Sequence, residues 1–289
     1  MLRVLVLGST GMAGHVMTLY LMNNPQLDVS NLSHRYRLNG SSVIMDVTDF
    51  AALGNFLDAC HFDIIINCIG ILNQFAEENK DRVILLNGYL PHFLESKYRS
   101  RPVRVIQIST DCVFSGKTGN YCETAFRDGD SFYARTKTIG ELANDKDLTI
   151  RTSIIGPDLS PDGIGLFNWF LKTDGEIKGY ANAIWSGITT LELAKAVEAA
   201  IFTPLTGIYH LAPDTSISKY ELLSLLKNKF DKKDVTIRKY EDYYCNKSLV
   251  DTRRDFGYSI PSYPEMIDEM KCWIDKHNEL YPHYKEYKL

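Results

Sequence analysis

The first fourteen residues constrain this chain most. Met1 to Leu7 is apolar and rich in leucine and valine, and reads as a strand. Gly8-Ser9-Thr10-Gly11-Met12-Ala13-Gly14 follows at once, and Met12, Val16, Leu19 and Tyr20 then recur at helical spacing. A strand that turns into a helix through glycines spaced Gly-x-x-Gly-x-x-Gly suits a dinucleotide. Gly8 permits the tight turn, Gly11 lets the backbone approach a pyrophosphate, and Gly14 lets the helix lie on the strand. Free N–H groups at the helix start then face an anion. Gly8, Thr10, Gly11 and Met12 are therefore candidate cofactor residues. The spacing differs from the basic Gly-x-Gly-x-x-Gly fingerprint, so the turn by itself is only moderately specific.

Strand and helix signals keep alternating to about residue 153, which predicts an α/β fold with a Rossmann-like, doubly wound parallel sheet. Val29 to Ser33 reads as the second strand. Where an acidic residue would bind an adenosine ribose, the chain has Ser33-His34-Arg35, and Arg35 can pair with a 2′-phosphate or remain a solvated surface arginine. After a short strand at Ser42 to Met45, Asp46-Val47 offers an acceptor and an apolar face for adenine, or Asp46 caps the helix beginning near Thr48. Phe62 to Asn67 is apolar enough to be covered on both faces and leads into Cys68-Ile69-Gly70, small or apolar residues against which a cofactor can lie. Asn87 to Ser96 reads as part of a central helix, and Asn87 joins the candidate cofactor residues.

Val103 to Ile108 is the fifth strand and ends in Ser109-Thr110-Asp111, at the edge where parallel sheets hold ligands. Tyr133-Ala134-Arg135-Thr136-Lys137 opens the next helix, with Tyr133 and Lys137 four residues apart on one face. That set has a chemical logic. Free tyrosine has a pKa near 10. A nearby ammonium and an oxidised nicotinamide would both favour phenolate, so the phenol can exchange a proton near neutrality. Lys137 can also hold the nicotinamide ribose, and Thr110 can fix the substrate oxygen. In reduction, Tyr133 gives its proton to the carbonyl oxygen as hydride reaches the carbon.

Beyond the strand at Leu148 to Thr152 the pattern loosens. Prolines and glycines interrupt it, and Phe167, Trp169, Phe170, Tyr180 and Trp185 gather. This is where a substrate lobe is expected, with residues 154–186 and 213–289 in it and residues 1–153, plus about 187–212, in the cofactor domain. Helix starts are read at Thr189-Thr190-Leu191-Glu192, Ser218-Lys219-Tyr220-Glu221 and Ser262-Tyr263-Pro264-Glu265. The tail from Tyr281 reads as loosely held. Composition excludes several classes. A net charge of −4 gives no case for nucleic acid, no apolar run approaches a membrane span, and nothing at the start resembles a signal peptide. The six cysteines show no close pairing and read as reduced thiols in a cytoplasmic protein, and no metal-ligand spacing occurs.

Taken together, these motifs resemble an extended short-chain dehydrogenase/reductase, and within it the dTDP-4-dehydrorhamnose reductase family. Besides the glycine turn, Ser109-Thr110-Asp111-Cys112-Val113-Phe114-Ser115-Gly116 is similar to that family's Ser-Thr-Asp-Tyr-Val-Phe-x-Gly. Tyr133-Ala134-Arg135-Thr136-Lys137 with Gly140-Glu141 is similar to its Tyr-Gly-x-Thr-Lys-x-x-Gly-Glu. The resemblance implies reduction of the 4-keto group of a nucleotide-activated 6-deoxy sugar for surface polysaccharide precursors. NADPH is the expected cofactor, NADH is possible, and the protein is expected to be a monomer or homodimer. Thr110, Tyr133 and Lys137 become the catalytic set, and Asp111, Val113, Phe114, Trp169 and Trp185 the substrate contacts. Trp185 to Thr190 departs from the family's Gly-x-Pro-Thr, which leaves the sugar and the nucleotide open, a UDP-linked N-acetylated keto-sugar included. An epimerase or dehydratase of the same superfamily and a reductase-like regulatory subunit are the alternatives. The missing carboxylate after the second strand and the single Asp111 before Cys112 count against the first two, and the intact catalytic set against the third.

Overall fold

Alternating strands and helices put a seven-stranded parallel sheet at the centre of the computed structural model, which describes residues 1–287. The chain begins β1 (Leu2–Leu7), α1 (Met12–Leu21), β2 (Leu27–Ser33), β3 (Ser42–Ile44), α2 (Phe50–Ala59), β4 (Ile64–Asn67). Short helices α3 (Asn73–Glu78) and α4 (Lys80–Val83) lead through a π-helical turn (Ile84–Tyr89) into α5 (Leu90–Lys97). Next come β5 (Arg104–Ile108), α6 (Phe132–Ile139) and β6 (Leu148–Arg151). The sheet runs β10-β6-β5-β4-β1-β2-β3, with β10 (Gly207–His210) added at its edge. Chain order reverses between β1 and β4, so the ligand crevice opens above their carboxyl ends.

Burial on both faces explains the apolar strands. Val4, Val6, Ile64, Ile66, Ile106 and Ile108 join one core cluster, while Leu5, Leu7, Ile65 and Val105, the alternate positions, join the other. Leu53 and Leu57 of α2 and Leu90 and Leu94 of α5 belong to the second cluster.

The second half adds β7 (Ile154–Ile155), α7 (Leu166–Lys172), β8 (Gly175–Trp185), β9 (Ile188–Thr189), α8 (Thr190–Ile201), β11 (Ile217–Ser218), α9 (Lys219–Lys229), β12 (Val235–Asn246) and α10 (Tyr263–Lys276). A separate three-stranded sheet places β8 between antiparallel β11 and parallel β12. Helix α10 shares the first core cluster with α1 and α8.

Helix starts follow the side-chain caps with two corrections. Asp46 caps nothing helical; it accepts hydrogen bonds from the Thr48 backbone and hydroxyl, and Asp49 is the N-cap of α2. Ser218 and Ser262 close full capping boxes, but Thr189 closes half of one, because the Glu192 carboxylate accepts instead from the Tyr258 hydroxyl at 2.5 Å.

The tail is docked rather than loose up to Tyr284; residues 288–289 lie outside the described part. His15 Nδ1 lies 2.9 Å from the Gly11 carbonyl, which can only accept, so Nδ1 carries the proton and Nε2 accepts from the Tyr281 hydroxyl at 2.8 Å. Trp273 Nε1 donates to that same oxygen at 3.1 Å. Burial pushes His15 down to about 4, which keeps the imidazole neutral. The Tyr284 hydroxyl donates to Asn168 Oδ1 at 2.7 Å. Tyr281→Phe strands a buried donor and a buried acceptor, each costing about 1–3 kcal/mol. The urea midpoint of this variant is expected to fall, and an unchanged midpoint would show that the tail does not stabilise the fold.

Candidate active site

Two cavities open above the sheet; Thr110, Tyr133 and Lys137 line neither, and Tyr133 belongs to a buried cluster against which residues of both cavities pack. The first, of about 410 Å³, follows the switch point. Its floor begins at Gly8, whose φ of +82° only glycine adopts readily; a Cβ there would also come within 2.9 Å of the Ile69 side chain. Helix α1 has Gly11 as N-cap and no side-chain cap, so its first N–H groups are free for an anion.

Nine of the residues expected to hold a cofactor line this cavity: Gly8, Thr10, Gly11, Arg35, Asp46, Val47, Cys68, Ile69 and Gly70. Two others do not. The sulfur of Met12 lies about 3.0 Å from where a Cβ on Gly165 would stand, which turns it towards α7. Asn87 is buried and holds the loop instead, accepting from the Ile71 N–H at 2.9 Å and donating to the Ile71 carbonyl at 3.0 Å. Arg82, which sequence reasoning missed, joins the wall and donates to both oxygens of Asp46, at 3.2 and 3.1 Å. Burial pushes the Asp46 carboxyl up, but hydrogen bonds from Thr48 and Arg82 outweigh it and hold it below the usual carboxylate range. Arg82 sits 36 residues from its partner, on a helix interrupted by a π-helical turn, and no local spacing signals that pairing.

Thr110 ends the loop after β5, and its oxygen accepts from the Cys112 N–H at 3.1 Å. Ser131 caps α6 by accepting from the Ala134 N–H, which sets Tyr133 and Lys137 on the inner face. Tyr133 packs with Ala76 and Val83, and Ile71 and Cys112 pack against that cluster; Ile71 lines the first cavity and Cys112 the second. Burial pushes the Tyr133 phenol well above its ordinary value. The neighbouring Cys112 and Asp111 add to this, and a hydrogen bond with Thr110 opposes it. This reverses the expected downward shift. The Lys137 ammonium donates to the Ile108 carbonyl at 2.7 Å, and burial lowers Lys137 to about 8. Tyr133 is therefore a proton-bearing phenol. Lys137 Nζ also lies 3.9 Å from where a Cβ on Gly70 would stand, behind a residue that lines the first cavity.

The second cavity, of about 570 Å³, is walled by Asp111 and Cys112 on one side and by Trp169, Tyr180, Trp185 and Tyr243 on others. Asp111, Trp169 and Trp185 thus fall where substrate contacts were expected. Val113 and Phe114 do not: both are fully buried, and Phe114 stacks on Tyr121 at 4.2 Å, so they support the loop from inside.

Three lysines that sequence reasoning missed, Lys178, Lys219 and Lys247, reach this cavity. Lys219 lies over the Trp185 ring at 4.6 Å. It is also the first residue of α9, where the helix dipole disfavours a cation, and burial lowers it to about 8. Such a placement suits an anionic ligand. The signal was present in Ser218-Lys219-Tyr220-Glu221, but that stretch reads as a helix cap before its charge is considered.

The family described as RmlD substrate binding domain matches residues 2–244. A Streptomyces niveus dTDP-4-keto-6-deoxy-D-glucose reductase is 25% identical over 233 residues, 76% of each chain. A Haloferax volcanii protein named as a probable low-salt glycan biosynthesis reductase is 29% identical over 141 residues, 45% of this chain and 46% of its own. Among solved structures, a Bacillus anthracis dTDP-4-dehydrorhamnose reductase in complex with NADP superposes with a TM-score of 0.80 at 21% identity, covering 94% of this chain and 99% of its own.

Proposed function

This chain belongs to the RmlD substrate binding domain family, and on that premise we propose that it is an NADPH-dependent reductase of a keto group on a nucleotide-activated sugar. The observation that carries this reading is the position of Tyr133. Its buried cluster is packed by Ile71, which lines a glycine-floored cavity suited to a dinucleotide, and by Cys112, which lines a second cavity walled by lysines and aromatic rings. Such a lining suits a ligand with a diphosphate between a sugar and a base. All six cysteines are free, which supports a reducing compartment, the cytoplasm.

The residues fit the cofactor: a Cβ at Gly8 would crowd Ile69 on the cavity floor, and the free N–H groups of α1 begin at Gly11, which lines the same space. When bound, the nicotinamide supplies hydride to the carbonyl carbon. Tyr133, kept protonated by burial, donates its proton to the nascent alkoxide. Thr110 hydrogen-bonds the substrate oxygen and sets its angle. Lys137 holds the nicotinamide ribose, and Gly8, Thr10 and Gly11 hold the pyrophosphate. Arg35 faces the 2′-phosphate, and Asp46 with Val47 receives adenine. Lys219, Lys247 and Lys178 hold the diphosphate of the sugar nucleotide, with Trp169, Tyr180 and Tyr243 around its base.

Three outcomes test this assignment. Tyr133→Phe removes one oxygen, so single-turnover hydride transfer is expected to fall about 10²–10⁴-fold while NADPH affinity holds; a wild-type rate would remove Tyr133 as the acid. Arg35→Ala is expected to lower the NADPH/NADH ratio of kcat/KM about tenfold to a hundredfold, the worth of one charge-assisted contact. An unchanged ratio would return Arg35 to the solvated surface. Lys219→Met is expected to raise the KM for the sugar nucleotide about tenfold or more with cofactor affinity unaltered; equal KM values would place the diphosphate elsewhere.

A further inference from the structure

Beneath the reacting groups lies a buried cluster of charge that the reduction itself does not use. Glu141 stands four residues beyond Lys137, just past the end of α6, and its side chain has no exposed surface. Its two oxygens accept four hydrogen bonds. Ser109 Oγ donates at 2.8 Å, Arg151 Nε at 2.7 Å, a second Arg151 nitrogen at 2.8 Å and Arg127 at 3.0 Å. Arg151 is itself held: its remaining nitrogen donates to the Glu123 carbonyl at 3.0 Å and lies 3.1 Å from His210 Nε2, and its guanidinium lies over the Phe114 ring. Lys137 meanwhile donates to the carbonyl of Ile108, the residue before Ser109. Two consecutive residues at the end of β5 are thus gripped by two groups from one segment, Lys137 and Glu141, and Thr110 is the next residue along.

We infer that Glu141, pinned by Arg151, is a positioning residue that fixes Thr110 through Ser109 and keeps the Lys137 ammonium charged at working pH. A buried ion pair adds little net stability against an apolar replacement of the same size, so fold stability alone does not account for this gathering of charge. The electrostatics around Lys137 have a definite sign. Its own burial drives it towards the neutral amine, and the opposing influences are Glu141 and, from the end of β4, Cys68. Beyond Glu141 stand the cations Arg151 of β6 and Arg127 of the loop before α6, and Tyr133 shares the helix with Lys137. Burial pushes Glu141 up, but its bonds from Arg151, Arg127 and Ser109 outweigh this and keep it ionised. Glu141 therefore holds a fixed negative charge four residues from a lysine poised near its own titration.

The inference rests on the proposed role of Lys137 at the cofactor ribose. Its test is NADPH affinity by fluorescence between pH 6 and 10, with single-turnover hydride transfer alongside, for the wild type, Glu141→Gln and Arg127→Met. Wild-type affinity is expected to weaken above about pH 8 as Lys137 loses its proton. Glu141→Gln is expected to move that limb down by about one pH unit, and Glu141→Asp to restore it. Arg127→Met, which deletes a half-exposed cation, is expected to move the limb the opposite way. Ser109→Ala keeps every charge, so it is expected to slow hydride transfer about tenfold with the limb unmoved. A limb at one pH in the wild type, Glu141→Gln and Arg127→Met would overturn the inference. Should Glu141→Gln not fold, Arg127→Met and Ser109→Ala decide, and an unshifted limb together with an unslowed transfer overturns it. Failure of the wild type to bind NADPH at all would instead overturn the reductase reading itself.

Discussion

A Cβ on Gly14 would stand 2.0 Å from the Gly8 carbonyl oxygen, so α1 can lie against the turn after β1 only because residue 14 has no side chain. The rest of the site depends on that contact. It sets the start of α1 over the switch point between β1 and β4, where the sheet order reverses. It leaves the N–H groups of the first helical turn without side-chain caps, facing the first cavity. It also places His15 one turn later, where its imidazole meets Tyr281 and brings the tail back over the cofactor helix. The same tail reaches Asn168 of α7, whose neighbour Trp169 lines the second cavity. One close backbone approach is therefore connected, through packed side chains, to both cavities.

Burial then sets the protonation of the reacting groups, in opposite directions. It favours the neutral form of each, raising the Tyr133 phenol and lowering the Lys137 ammonium. For a reductase this is the useful arrangement. In the reduction we propose, the phenol carries the proton that the alkoxide needs, and Glu141 with Cys68 favours the charged form of the lysine. Removing water from the site makes each such charge count for more than it would at the surface.

Much of this was legible in the sequence where local rules decide. Strands covered on both faces are almost purely apolar, so β1, β4 and β5 announce themselves, and the glycine turn fixes the first βα unit. Tyr133 and Lys137 share a helical face by spacing alone. Legibility ends where neighbours distant in sequence decide. Strands β8 and β12 are long but largely exposed on one side, and their charged and tyrosine-rich stretches dilute the alternation that marks a strand. Lys178, Lys219 and Lys247 come from three separate segments, and only the fold gathers them. Val113 and Phe114 follow Asp111 with only Cys112 between, yet the 3-10 turn at 111–113 carries them into the core while Asp111 stays at the cavity. Tyr281 reads as a loose polar tail because nothing local shows that Trp273 and His15 wait for its hydroxyl.

The central claim is that hydride crosses from the first cavity to the second beside Tyr133. It is tested most directly by supplying NADPH deuterated at the reactive nicotinamide carbon together with a panel of keto-sugar nucleotides, and locating the label by NMR. The account predicts deuterium on the former carbonyl carbon of the sugar, in one stereochemical position, with one NADP formed per sugar reduced. Consumption of no keto-sugar nucleotide by a folded, NADPH-binding protein, or a reduced sugar carrying no label, would contradict it.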